Sequence, residues 1–159
     1  FQYDLKGGYV LRAGSPLDAP SCGLGFADYR QSYVDLKMVW LSERFNADAD
    51  LHFSDVQFDN QAEVYAPAMF SGDMRLTYNW MGRVYAGLAA QGASSRSAAS
   101  PSLQDLRGYV DVGLFGEYKI DRMWGVWAHA GNLACMKIER HPGYVEKGPY
   151  FTVGLSLSL

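Results

Sequence analysis

Charge is scarce in this sequence. Asp, Glu, Lys and Arg make up 19% of it, below the roughly one quarter usual in a soluble domain. The net charge is −3, and no run of Lys and Arg is present to track phosphates, which excludes nucleic acid as a partner. Cysteine is nearly absent: Cys22 and Cys135 stand alone. Two cysteines do not make a disulfide framework, and no CxxC spacing points to a metal. No apolar run reaches the roughly 18 residues that a membrane helix needs. Signal peptide and initiating Met are also missing, and residue 1 already reads as strand. The expectation is a mature form or a piece of something longer.

Aromatic residues and glycine are abundant: 14% Phe, Trp and Tyr with eleven Tyr, and 17 Gly. Alternation of period two runs almost throughout. In "FQYDLKGGYVLR", Phe1, Tyr3, Leu5, Tyr9 and Leu11 oppose Gln2, Asp4, Lys6 and Arg12. "YVDLKMVWL" sets Val34, Leu36, Met38 and Trp40 against Asp35 and Lys37, and "ADADLHFS" sets Leu51 and Phe53 against Asp48, Asp50 and His52. "MFSGDMRLTYNW" alternates in the same way from Phe70 to Tyr78, and "RVYAGLAAQG" does so more weakly. "YVDVGLFGEY", "MWGVWAHAGN" and the closing "GPYFTVGLSLSL" complete the set. These are eight runs of about ten residues, the length that a tilted membrane strand needs, whereas soluble sheets favour strands of about five or six.

The connections alternate in length. "SERFN", "MG" and "KIDRM" are short. "AGSPLDAPSCGLGFADYRQS", the stretch around "DNQAEVYAPA", "ASSRSAASPSLQDLRG" and "ERHPGYVEK" are long, and all six prolines lie in them or at their edge. Proline cannot donate to a ladder, so it marks where pairing stops. In an up-and-down meander one end then carries every tight turn and the other every long loop. The pattern predicts one all-β domain over residues 1–159. It is an antiparallel up-and-down transmembrane β-barrel with eight strands in this chain, closed on itself or the C-terminal part of a larger barrel.

Alternation by itself does not say which way the apolar face points, since a soluble lipocalin-like barrel holding an apolar ligand inverts the same pattern. Aromatic residues gather near the short-turn end: Trp40, Phe45, Tyr78, Trp80, Tyr85, Tyr118 and Trp124. Trp and Tyr favour the bilayer interface. Trp40, Tyr78, Trp80, Tyr118 and Trp124 are the expected interface aromatics, with lipid outside and charges of both signs facing a lumen. Lipid would be met by the Phe1/Leu5, Val34/Trp40, Phe70/Tyr78, Val110/Tyr118 and Phe151/Leu159 faces.

The last strand, "TVGLSLSL", resembles the insertion signal of bacterial outer-membrane proteins, with Thr152, Gly154, Leu157 and Leu159 in its places and Leu where the terminal residue is usually Phe. The stretch from "GLFGEYKI" onward is similar to the final two hairpins of TonB-dependent receptor-like barrels of the Bacteroidota type. The resemblance rests on "EYKI" before a tight turn, Trp124 after it, Asn132-Leu133, "HPGY" and the terminal strand. Ala134 and Cys135 depart from the more usual pair there, and nothing matches a plug or its energy-coupling box. The resemblance implies a bacterial outer-membrane location, insertion by the outer-membrane assembly machinery, and part of a barrel of about 22 strands that takes up a ligand. It leaves the ligand unidentified; no cofactor and no enzyme activity are expected, since no nucleophile elbow or cofactor motif is found. A self-standing eight-stranded barrel with a structural or adhesive role is the alternative.

Other residue groups have plainer readings. Asp48, Asp50 and His52 with His129 suit a lumenal metal or proton site by type, but polar lumen lining accounts for them. Ser32, Ser42 and "ASSRSAASPS" lack a nucleophile elbow, and "CGLGF" is not followed by a helix. Cys22 and Cys135 fall at the same end, where a disulfide is one reading and two separate thiols the other. Tyr29, Tyr65 and Tyr144 are candidates for contact with a ligand in the long loops.

Overall fold

The computed structural model describes residues 1–20, 23–59, 63–146 and 148–157. Eight strands form one antiparallel sheet in chain order. They are β1 (Gln2–Ala19), β2 (Gly23–Leu41), β3 (Phe45–Phe58), β4 (Phe70–Trp80), β5 (Val84–Ala93), β6 (Tyr109–Lys119), β7 (Trp124–Gly131) and β8 (Tyr150–Leu157). No ladder joins β8 to β1 among the described residues. No helix is long and apolar enough to cross a membrane, which says nothing of crossing by strands.

The register turns the alternation into two faces. Asp4 pairs Lys37, Lys37 pairs Asp50, Asp50 pairs Asp73, Asp73 pairs Gln91 and Gln91 pairs Asp111, so one polar row crosses six strands. A hollow of about 450 Å³ opens on this face and draws its lining from β1 through β6, so the polar side is concave. The apolar set stands on the other side, open to the surroundings: Phe1 is 77% exposed and Leu155 69%. This turns the lipocalin-like arrangement inside out, because the apolar face lines no interior.

The first long connection is not a loop. β1 runs 18 residues and β2 19, with Pro16 opposite Phe26 inside the ladder. Nineteen residues at about 3.3 Å extend about 60 Å, well past a hydrocarbon layer about 30 Å thick even allowing for tilt. The proline is tolerated because, among the described residues, β1 pairs along one side only, with β2. The ladder shifts between Arg12 and Ser15. There Gly14 takes φ +55° and its N–H donates to Asp28 Oδ1 at 2.6 Å, a bulge that needs the freedom of glycine.

The three short turns lie together at one end, as expected. Ser42 Oγ accepts from the Phe45 N–H (3.2 Å) in the β2–β3 turn, and Asn79 Oδ1 accepts from the Gly82 N–H (2.8 Å) in the β4–β5 turn. In the β6–β7 turn Asp121 Oδ1 accepts from the N–H groups of Met123 (2.7 Å) and Trp124 (2.8 Å), and those bonds hold its carboxyl below the ordinary carboxylate range.

Candidate functional site

Two features of the concave face matter: a thin charged wall and a cap at its loop end. The wall is kept thin by aromatic rings laid against glycines directly across the ladder. Gly154 pairs Trp127, Gly131 pairs Tyr150, Gly87 pairs Phe115 and Gly8 pairs Tyr33. A Cβ built on these glycines would lie 2.5 Å from Trp127 Cε2, 2.5 Å from Tyr150 Cε1, 2.8 Å from Phe115 Cε1 and 3.0 Å from Tyr33 Cε1. Such distances require the ring to occupy the space a side chain would take. The rings therefore cover the wall instead of filling the space in front of it. Arg75 stacks on Phe115 (5.1 Å) and Lys119 on Tyr85 (4.8 Å), which holds two cations against the wall as well.

Several charges are paired along the wall. Lys37 Nζ donates to Asp50 (2.9 Å) and Lys6 to Asp4 (2.8 Å), while His52 Nδ1 bonds Asp35. All are partly exposed to the lumen, so each pair contributes little to stability and mainly sets the polarity of the surface. His129 does not join His52. Four strand spacings of about 4.8 Å separate β7 from β3, roughly 19 Å in all. Among the described residues no group of three or more His, Cys, Asp or Glu side chains is placed to hold a metal.

At the loop end three connections fold over the wall. The β3–β4 segment 64–66 pairs with the β5–β6 segment 97–99: the Ala66 N–H donates to Ser97 O (2.8 Å) and the Ala99 N–H to Val64 O (2.9 Å). Val64 and Ile138 are 1% exposed, and Leu17, Ala27 and Tyr29 from the extended β1–β2 hairpin pack with Val64. Tyr29 and Tyr65 are thus buried, and of the three loop tyrosines only Tyr144 is exposed. Arg140, in the β7–β8 connection, reaches the wall. Its guanidinium bonds Asp111 Oδ2 (3.1 Å), the Tyr109 hydroxyl (3.2 Å) and Glu146, and stacks on the Tyr109 ring. Burial pulls the Arg140 pKa down, but the hydrogen bond to Glu146 and the charges of Tyr109, Glu146 and Asp111 outweigh it, leaving the pKa above its ordinary value. Asp111 is buried and also accepts from Gln91 Nε2 (3.0 Å) and the Asn132 N–H (2.9 Å).

The residues singled out from sequence fall as follows. Trp40, Trp80, Tyr118 and Trp124 stand exposed on the convex face at the turn end, and Tyr78 is half-buried there against Phe45 (4.8 Å between ring centroids). Tyr85 is on the concave face, under Lys119, and does not belong to that group. Thr152 and Gly154 face inward, opposite His129 and Trp127, and Leu157 faces outward beside Trp124. Leu159 and Cys22 lie outside the described residues. Cys135 is an exposed free thiol in the β7–β8 connection. Ser42 and Ser94 serve the backbone: Ser94 Oγ accepts from the Phe70 N–H at 3.1 Å. Asp18, Arg96 and Arg140 were not legible as a group, because they lie in β1 and in two different connections and no spacing links them.

The eight strands form one antiparallel, up-and-down wall, apolar on its convex face and charged on its concave face. No family model matches the sequence, and no curated protein matches it. Solved structures do. The chain superposes with a TM-score of 0.74 on a structure titled copper transporter OprC, at 17% identity, covering 99% of this chain and 29% of that one. It superposes equally, TM-score 0.74, on the ferric-catecholate import receptor Fiu from K12 E. coli in its closed form, at 8% identity, covering 98% of this chain and 25% of that one. At such identities the likeness is one of fold. The chain spans between a quarter and a third of each of those chains.

Proposed function

We propose that this chain is the C-terminal part of the barrel of a TonB-dependent receptor-like transporter in the bacterial outer membrane, and that the complete protein takes up a ligand. The observation that carries the reading is the thin inner wall. An eight-stranded barrel closed alone has an interior just wide enough for side chains to fill it. Here the inward rings of Trp127, Tyr150, Phe115 and Tyr33 lie over glycines and stay close to the wall. A wall of this kind suits a wider barrel, as does the superposition of nearly the whole chain on about a quarter of two receptor-type chains.

In this reading Trp40, Tyr78, Trp80, Tyr118 and Trp124 form the periplasmic-side aromatic belt, and the loops lie outside the cell. Thr152, Gly154, Leu157 and Leu159 act as the insertion signal read by the assembly machinery. The partners are the lipid bilayer, that machinery and the ligand, and the protein is a transporter rather than an enzyme. The Bacteroidota-type resemblance of the last two hairpins belongs to the same proposal.

The test is refolding of residues 1–159 alone in detergent, followed by gel electrophoresis with and without boiling. A wall segment lacking its neighbours gives no shifted band and aggregates. A shifted, protease-resistant monomer would support the self-standing eight-stranded barrel instead. A folded monomer without detergent would overturn both.

A further inference from the structure

The loop end holds a set of contacts that the barrel itself does not require. Arg96, in the β5–β6 connection, meets three other parts of the chain. Its Nε donates to Ala66 O (2.9 Å) in the β3–β4 connection. One terminal nitrogen donates to Asp18 Oδ2 (2.7 Å) in the β1–β2 hairpin and to Arg140 O (3.1 Å) in the β7–β8 connection. Its backbone N–H and C=O are both bonded to Leu106 at 3.0 Å, so the residue that makes the ties is itself fixed. His141 Nδ1 lies 3.4 Å from the second oxygen of Asp18. Around this centre, the Tyr65 N–H donates to Asp18 O (2.9 Å), and Val64, Leu106 and Ile138 are buried.

We propose that the three long connections and the end of the β1–β2 hairpin form one interlocked cap, with Arg96 as its central tie and Arg140 as its anchor to the barrel wall, so that the cap moves as a single body. The physical reason is shared dependence. Both arginines are part-buried, and each neutralises a part-buried or buried carboxylate on another element: Asp18 for Arg96 and Asp111 for Arg140. Moving the hairpin end, the β5–β6 connection or the β7–β8 connection away leaves a charge on a neighbour without its partner, and moving the β3–β4 segment takes a backbone partner from Arg96 Nε and from the Asp18 carbonyl. Independent flaps would instead carry their polar contacts within themselves. The proposal rests on these contacts alone and stands or falls apart from the transport reading.

Hydrogen exchange on the full-length protein in detergent, followed by mass spectrometry, tests it. Arg96→Ala is expected to speed exchange about tenfold in peptides covering 63–66, 96–106 and 132–146 together, with the strands β4 to β7 unchanged as the measure of an intact barrel. Arg107→Ala, an exposed arginine of the same connection, serves as control and is expected to change none of them. Asp18→Asn, which changes one atom on the hairpin, is expected to loosen 96–106 and 132–146, although both are distant in sequence. Loosening confined to 94–108 after Arg96→Ala, or to the hairpin after Asp18→Asn, would overturn the single body and leave separate loops. If Arg96→Ala fails to fold, the Asp18→Asn result alone decides between these outcomes.

Discussion

Replacing Gly154 by alanine tests how the inner wall is kept thin. The new Cβ lies 2.5 Å from Trp127 Cε2, whereas carbon atoms in contact prefer about 3.5–4.0 Å. The indole must therefore retreat by about 1 Å, and only the lumen lies open to it. Overpacking a tight site costs about 1–3 kcal/mol. Trp127 is partly exposed and can lift, so the expected loss is near the lower limit, about 1 kcal/mol. Trp127→Ala alone also destabilises, because the ring no longer covers its neighbour. In the Gly154→Ala background, however, removing the ring relieves the clash. The double-mutant cycle should return a coupling of about 1 kcal/mol. Gly148→Ala is the control, since nothing lies within 4 Å of its Cβ. The assay is denaturant unfolding of the full-length protein in detergent, read by loss of the unboiled gel band. Additive costs for Gly154→Ala and Trp127→Ala, within about 0.3 kcal/mol, would mean that the ring does not lie over the glycine, and the thin-wall argument would fail with it.

Met74 stands exposed on the convex face of β4 and Ser71 faces inward on the same strand. Met74→Lys should cost about 2–4 kcal/mol in lipid while Ser71→Lys, among lumenal aspartates, stays within about 0.5 kcal/mol; equal costs on denaturant unfolding in vesicles would contradict the assignment of faces. Asp121 should titrate below an ordinary carboxylate, because its ionised form accepts from Met123 and Trp124. Its support of the β6–β7 turn is then complete above the unfolded pKa and lost as pH falls through the lower folded value. Carboxyl NMR would show this midpoint, and an unshifted one would remove the turn bonds. In a Cys22→Ser background, Cys135 should react on intact cells with a thiol reagent that does not cross membranes, since it is exposed at the loop end. Labelling only after lysis would reverse the proposed orientation.

Much of the fold was legible because a sheet with one apolar and one polar face writes period two into the sequence. Asp35 and Lys37 set between Val34, Leu36 and Met38 fix which side each residue takes, whatever its neighbours are. The short turns and their aromatic residues were legible for the same reason. The first connection was misread because "SPLDAPSCGLGF" carries proline and glycine, which normally end a strand. In β1, which pairs only with β2 among the described residues, they do not, and the ladder runs on to Ala19. Tyr85 lies near the turn end, which is visible in sequence, but its place on the concave face depends on the register across from Glu117.

Sequence by itself determined the number of strands, their order, the two faces and the end that carries the turns. These follow from local alternation and turn chemistry, which need no distant partner. Only the tertiary structure decided what occupies the concave side. Whether Trp127 fills the lumen or lies flat depends on Gly154 standing across from it, 27 residues away along the chain. Whether Arg96 is a loose loop charge or a tie depends on Asp18, 78 residues away. Such contacts have no period and no fixed spacing. They exist only once the ladder has set the register and brought the loops to one end.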